Sequence, residues 1–144
     1  MAKYAQGFFE VQNPSKYIGS TKPRYRSSWE LRMMSFFDNS KSILKWASES
    51  IRIPYRNPLS GKLTTYVPDF FVVYVTKSGK QIAELIEVKP RSQTSLLEAK
   101  SKHDKLHVIV NQAKWAAANA YCKSQGITFR IITESDIFHT GSTK

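Results

Sequence analysis

The sequence predicts an α/β domain with a mixed central sheet flanked by helices, in the order α-β-β-β-α-β. Three observations predict it. Apolar residues recur at helical spacing after a capping signal at Ser27. A long run of β-branched and aromatic residues occupies the middle of the chain, and an alanine-rich helical stretch stops at Gly126 before one more apolar run. With 41% hydrophobic residues among 144, the chain has material for one packed core. It reads as a single domain over residues 1–144, with an irregular arm over 1–26 and a core over 27–138.

The arm mixes aromatics with Asn13, Pro14, Gly19 and Pro23. Its basic, aromatic end, Lys22-Pro23-Arg24-Tyr25-Arg26, suits a path along phosphates; the alternative is packing on the core through Phe8, Phe9, Tyr17 and Ile18. Ser27-Ser28-Trp29-Glu30 has the form of a capping box, and Trp29, Met33 and Phe36 or Phe37 carry a helix to about Asp38. Ile43, Leu44 and Trp46 read as a turn that packs back on the core. Ser50 to Tyr55 alternates as the first strand, and Asn57 to Lys62 is a turn by composition. Thr64 to Thr76 is the second strand, with Pro68 marking a bend or an edge. After a turn at Lys77-Ser78-Gly79-Lys80 comes the third, Gln81 to Lys89, apolar on both faces as a central strand is. A helix follows from about Ser95 to Ser124, then a strand over Thr128 to Thr133 and a short turn at Ser135 to Phe138.

Charge narrows the function. Twenty-two Lys and Arg against 11 Asp and Glu give +11 at pH 7. Self-repulsion of that size does nothing for a fold and points to a polyanion, nucleic acid before an anionic membrane. Cys122 is the lone cysteine, which excludes an intrachain disulfide and a cysteine zinc cluster. No stretch approaches the roughly 18 apolar residues of a membrane span, and residues 1–12 lack the pattern of a signal peptide. A soluble, intracellular protein is the expectation.

The chemistry lies on the second and third strands. Glu87 and Lys89 project from one face while Val88 points the other way. Asp69 precedes the apolar run of the partner strand, so hairpin pairing can set it beside Glu87. Two adjacent carboxylates repel, and a divalent cation removes the conflict. Magnesium on Asp69 and Glu87, with the Val88 carbonyl as a further ligand and manganese as a substitute, would activate water and neutralise a phosphodiester. Lys89 would orient or deprotonate that water, or hold the phosphate. Lys22, Arg24, Arg26, Arg52, Arg56, Arg91, Lys100, Lys102 and Lys105 are the candidate DNA contacts, spread as backbone contacts are. Gln112 on the second helix and Glu49 before the first strand are further candidates, each weighed against a plain surface role. His103 and His107, four apart on a helix, lack an acid at zincin spacing and read as surface or phosphate contacts. Ser27 and Ser28 have no base partner.

Pro68-Asp69 followed by Glu87-Val88-Lys89, in this element order, resembles the Pro-Asp…(Asp/Glu)-x-Lys signature of the restriction-endonuclease-like nuclease superfamily. The resemblance implies that fold, divalent-metal catalysis and an acid on the first core helix, which nominates Glu30 as a metal ligand beside its capping role. A closer resemblance covers most of the chain. Gly7-Phe8-Phe9, Asn13-Pro14-x-Lys16-Tyr17-Ile18-Gly19, Tyr25-Arg26-Ser27-Ser28-Trp29-Glu30, Lys45-Trp46-Ala47-Ser48-Glu49, Ile53-Pro54-Tyr55, Asn57-Pro58 and Tyr66-x-Pro68-Asp69-Phe70 look like the head-completion nucleases of T-even-type tailed phages. The core is also similar to the DNA-cleaving subunit of some cut-and-paste transposases. The head-completion resemblance implies an endonuclease acting in virion assembly before head–tail joining, in the host cytoplasm or with the virion, among head, portal or tail-joining proteins. The competing readings are a structural head–tail joining protein and a non-catalytic DNA-binding module. The charge fits both, but neither explains the strand carboxylates.

Overall fold

The computed structural model describes residues 6–136. In chain order the elements are β1 (Gly7–Phe8), β2 (Arg24–Tyr25), α1 (Ser28–Asn39), β3 (Ile43–Ser48), β4 (Ile53–Arg56), β5 (Leu63–Tyr66), β6 (Phe70–Val75), β7 (Gln81–Val88), α2 (Lys102–Gln125) and β8 (Thr128–Ile132). The central sheet is mixed, in the order β3-β6-β7-β8, antiparallel except for the parallel β7–β8 pair. Alternation along its strands sends two sets of side chains to two cores. Phe70, Val72 and Ile86 pack with Met34 and Phe37 of α1, whereas Leu85 packs with Trp115, Ala118 and Cys122 of α2.

The predicted α-β-β-β-α-β order holds, but its first strand lies elsewhere. Ile43–Ser48, read as a turn, is the sheet strand β3. A register shift between Ile43 and Lys45 brings Ile43 and Trp46 to the same core although they are three apart. That bulge breaks the alternation by which a strand is read. The alternation over Ser50 to Tyr55 is real but belongs to a separate two-stranded ribbon, β4–β5, whose Ile53, Tyr55 and Tyr66 pack on the α2 side. Thr64 to Thr76 is therefore two strands in two sheets. The buried Pro68, which has no N–H for a ladder, sits at the crossing.

The helices obey their caps. Ser27 Oγ accepts the Glu30 amide at 3.2 Å, and Glu30 Oε1 accepts the Arg26 amide at 3.0 Å, so the box closes one residue before the cap. The second helix starts at Lys102, well after Ser95. Ser101 caps it by accepting the Asp104 amide at 3.0 Å, and Asp104 returns the bond to the Lys100 amide at 3.3 Å. Before it, a 3-10 turn at Arg91–Gln93 and hydroxyl bonds from Thr94 and to Ser95 hold the chain in turns. Gly126, at φ 72°, ends the helix in the left-handed region. Glu134 to Asp136 begin a helical turn; Ile137 and Phe138 lie outside the described residues.

The arm packs on the core. Phe9 and Tyr17 meet Trp46 edge-on, while Phe8 and Ile18 stay exposed. The Ile18 amide bonds the Trp46 carbonyl, and the Trp46 amide bonds the Lys16 carbonyl, each at 3.0 Å, so the arm covers the free edge of β3. The anchor is Asp38, fully buried at the end of α1. It accepts the Gln12 amide at 2.7 Å, the Asn13 amide at 3.3 Å and the Trp46 indole at 3.3 Å. Trp46 thus joins arm, helix and sheet, and Trp46→Ala should cost about 3–5 kcal/mol in urea unfolding; a loss below about 1 kcal/mol would show that the arm is not held through this residue.

Candidate active site

The β6–β7 register builds the site. Phe70 pairs with Ile86, so one step further Asp69 stands opposite Glu87, both toward the α2 side of the sheet. The two residues clasp each other through the backbone. The Asp69 amide donates to Glu87 Oε1 at 3.3 Å, and the Val88 amide donates to Asp69 Oδ2 at 2.8 Å. Val88 itself points to the α1 core. The Lys89 amide donates to the Ile132 carbonyl at 2.9 Å, extending the β8 register, and Lys89 Nζ lies 3.5 Å from Glu87 Oε2.

Two more acids face this pair. Glu30 projects from the first turn of α1. Glu49 follows β3 in a left-handed conformation at φ 50°, its amide bonded to the Asp69 carbonyl at 2.9 Å and its carboxylate paired with Arg26. Such a backbone in a residue with a Cβ is strained. Asp69, Glu87 and Glu30 raise one another's cost of ionising, and Glu49 adds to that of Glu30. Burial, and then the charges of Glu87 and Glu30, push the Asp69 carboxyl well above its usual range, against the Val88 amide and Lys89. Burial raises Glu87 too, opposed by Lys89, Tyr66 and Lys114. Glu30 is raised by burial, with Glu49 and Glu87 adding to it and Arg26 opposing. Glu30 therefore fills its capping role and faces the acids at once.

Tyr66 was not picked out as a site residue by sequence reasoning; Lys114 was noted only as sharing with Gln112 the second helix, which the superfamily resemblance turns toward the site. The Tyr66 hydroxyl and the Trp115 indole N–H are both buried and short of strict hydrogen-bonding geometry, yet Tyr66 lies close enough to Glu87 to bias its ionisation. Lys114 Nζ lies 5.5 Å from the Tyr66 ring centroid. Gln112 points elsewhere and is exposed, with its amide 3.5 Å from the Thr94 carbonyl. His103 and His107 bring their Nε2 atoms within 3.1 Å on α2.

The basic candidates are scattered. Arg26 is at the acid cluster. Lys22 pairs with Glu10, Arg24 with Gln6, Arg91 with Glu98 while its backbone amide donates to Glu134, and Arg56 with the Gly61 carbonyl inside its own hairpin. Arg52, Lys100, Lys102 and Lys105 are exposed.

The donor set suits a hard cation. Among the described residues no three His, Cys, Asp or Glu side chains converge closely enough to hold an ion by themselves. Magnesium does not need three. It keeps several waters and takes one or two carboxylates, and Asp69 and Glu87 repel each other until a positive charge lies between them.

A family model described as TnsA-like endonuclease, N terminal, matches residues 40–134. The chain belongs to the TnsA-like endonuclease family. The family match runs from just before β3 through β8, so it contains Asp69, Glu87 and Lys89, whereas α1 with Glu30 precedes it. The head completion nuclease of Enterobacteria phage T4 is similar over more of this TnsA-like chain, 34% identical over 142 residues that cover 91% of it and 92% of the relative. Among the described residues no helix is long and apolar enough to cross a membrane.

The raised carboxyls set a pH rule for the metal-free protein. An acid whose folded pKa exceeds its unfolded one binds more protons folded than unfolded, so it destabilises the fold as pH rises through that interval. Asp69→Asn removes the penalty and keeps an acceptor for the Val88 amide. It should raise the thermal midpoint at neutral pH in EDTA, and the gain should vanish towards about pH 4, where the native carboxyl is protonated as well. A midpoint that falls at neutral pH would contradict this reading of the site.

Proposed function

We propose that this chain is a magnesium-dependent DNA endonuclease of virion assembly, acting before heads are joined to tails. The observation that carries the reading is the backbone-clasped Asp69–Glu87 pair with Lys89 on the same face. Asp69, Glu87 and the Val88 carbonyl would hold the metal, and Glu30 would complete its surroundings, directly or through water. A divalent cation there supplies charge neutralisation and a more acidic water. Lys89 orients the attacking water and Glu87 keeps that ammonium in place. Manganese should substitute, since it shares the preference for oxygen ligands.

Arg26 has two partners in succession on this reading. Without substrate it neutralises Glu49; with DNA bound it is the basic side chain nearest the acids that can turn to a phosphate. The exposed Arg52, Lys100, Lys102 and Lys105, and Lys22, Arg24, Arg56 and Arg91 once their weak surface pairs are exchanged, would contact the backbone without reading bases. The T4 relative is named for head completion. On that likeness, head, portal or tail-joining proteins are the expected partners, and the host cytoplasm or the virion the expected place of action.

Plasmid nicking tests the whole reading. Wild-type protein should cut with magnesium and not with EDTA, and Asp69→Ala and Lys89→Ala should lose at least about 100-fold in rate while retaining DNA binding. Glu30→Gln keeps a capping side chain and removes a buried charge, so it should not lower the thermal midpoint yet should slow cutting. A clean wild-type protein that binds DNA and cuts nothing under these conditions would return the chain to a structural role at the head–tail joint.

A further inference from the structure

Lys114 sits on α2 beside the buried Asn111, Trp115 and Ala118, and it is half-buried itself. Its ammonium lies 5.5 Å from the centroid of the Tyr66 ring, and Tyr66 is only 3% exposed. Aromatic faces attract ammonium groups, by about 0.5–2 kcal/mol, without satisfying their hydrogen bonds. In the ion pairs formed between described residues the cations are Lys22, Arg26, Lys89, Arg91 and Arg130. Lys114 is not one of them. Glu87 gives its ion pair to Lys89.

A lysine at the border of a helix face normally extends its stem over apolar surface and its charge into water. Lys114 does the opposite. It accepts burial and the repulsion of Lys89, both of which lower its pKa, and gains only the more distant charges of Glu87 and Asp69 in return. Two lysines that converge from different elements, one on the sheet and one on α2, leave a place between them for an anion. With Asp69 accepting the Val88 amide, and Glu87 accepting the Asp69 amide and pairing with Lys89, that anion has to come from outside the chain.

We propose that Lys114 is a further catalytic residue, its ammonium holding a non-bridging oxygen of the scissile phosphate from the α2 side while Lys89 serves the attacking water from the sheet side. The inference rests on the nuclease reading above and adds to it a second cation and its role. In the hydrolysis a water oxygen bonds to phosphorus and one ester P–O bond breaks. The proton lost by the water passes to solvent, and the leaving alkoxide takes one from solvent. Lys114 transfers no proton. It stabilises negative charge on the phosphoryl oxygens as the two bonds exchange, and Tyr66 fixes where its ammonium stands.

The test measures nicking at saturating plasmid with magnesium, duplex binding in EDTA and the thermal midpoint for wild type, Lys114→Met and Lys114→Arg. Lys114→Met should cut at least about 100-fold more slowly with duplex affinity within about threefold of wild type, and Lys114→Arg, which keeps the charge, should recover to within about tenfold. If the Met variant does not fold, Lys114→Gln takes its place with the same expectation. Lys114→Met cutting at the wild-type rate would overturn the inference and leave the nuclease reading standing. An equal loss of affinity and rate would overturn it too, since Lys114 would then be an ordinary backbone contact. A wild-type protein inert with magnesium would overturn the nuclease reading and this inference with it.

Discussion

The repulsion between Asp69 and Glu87 is the constraint on which the rest of the structure turns. Antiparallel register forces the two carboxylates opposite one another, and crossed bonds to the Asp69 and Val88 amides prevent either from swinging away. The donors are backbone amides fixed by the strands, so each carboxylate that stays bonded is held toward the other. The sheet therefore holds two like charges together in a partly buried place, which is unfavourable for the empty fold and favourable for a cation. The neighbouring Glu30 and Glu49 deepen the negative potential, while Lys89, Lys114 and Arg26 ring it with positive charge.

The remainder of the fold sustains that conflict. One core, between α1 and the sheet, is dense with aromatics around Trp46, and the other, under α2, carries Trp115 and the ribbon residues Ile53, Tyr55 and Tyr66. The site sits on the second core, where α2 and the ribbon bring residues to it from outside the sheet. Asp38 plays the contrary role on the first. It too is a buried carboxylate, yet two backbone amides and an indole N–H surround it, so its charge organises the arm instead of waiting for a ligand. The contrast separates Asp38, for which the fold supplies enough donors, from Asp69 and Glu87, for which it does not.

Much of this was legible in the sequence, for reasons that can be named. Asp69, Glu87 and Lys89 were readable because hairpin pairing and strand alternation are short-range rules. Ser27 and Gly126 were readable because caps are local chemistry. The first sheet strand was not, since the bulge after Ile43 breaks the period that marks a strand, and the ribbon at Ile53 to Tyr66 offers a cleaner alternation in the wrong sheet. Tyr66 was passed over, and Lys114 noted only beside Gln112, because their meeting depends on how α2 crosses the ribbon, a packing relation that no spacing within one element encodes. Asp38 looked like the polar end of a helix; its burial depends on the arm that folds over it.

The central claim is that the fold is built around an unsatisfied charge conflict that a divalent cation resolves. Its most direct test is the thermal midpoint as a function of magnesium concentration, for wild type and for Asp69→Asn, without DNA. A cation bound only to the folded state stabilises it by about 2.7 kcal/mol at 100 times its dissociation constant. The account predicts a midpoint that climbs with magnesium in the wild type and stays level in Asp69→Asn, the two curves approaching each other as the metal takes over what the substitution did. A wild-type midpoint indifferent to magnesium, or an equal climb in both proteins, would contradict it.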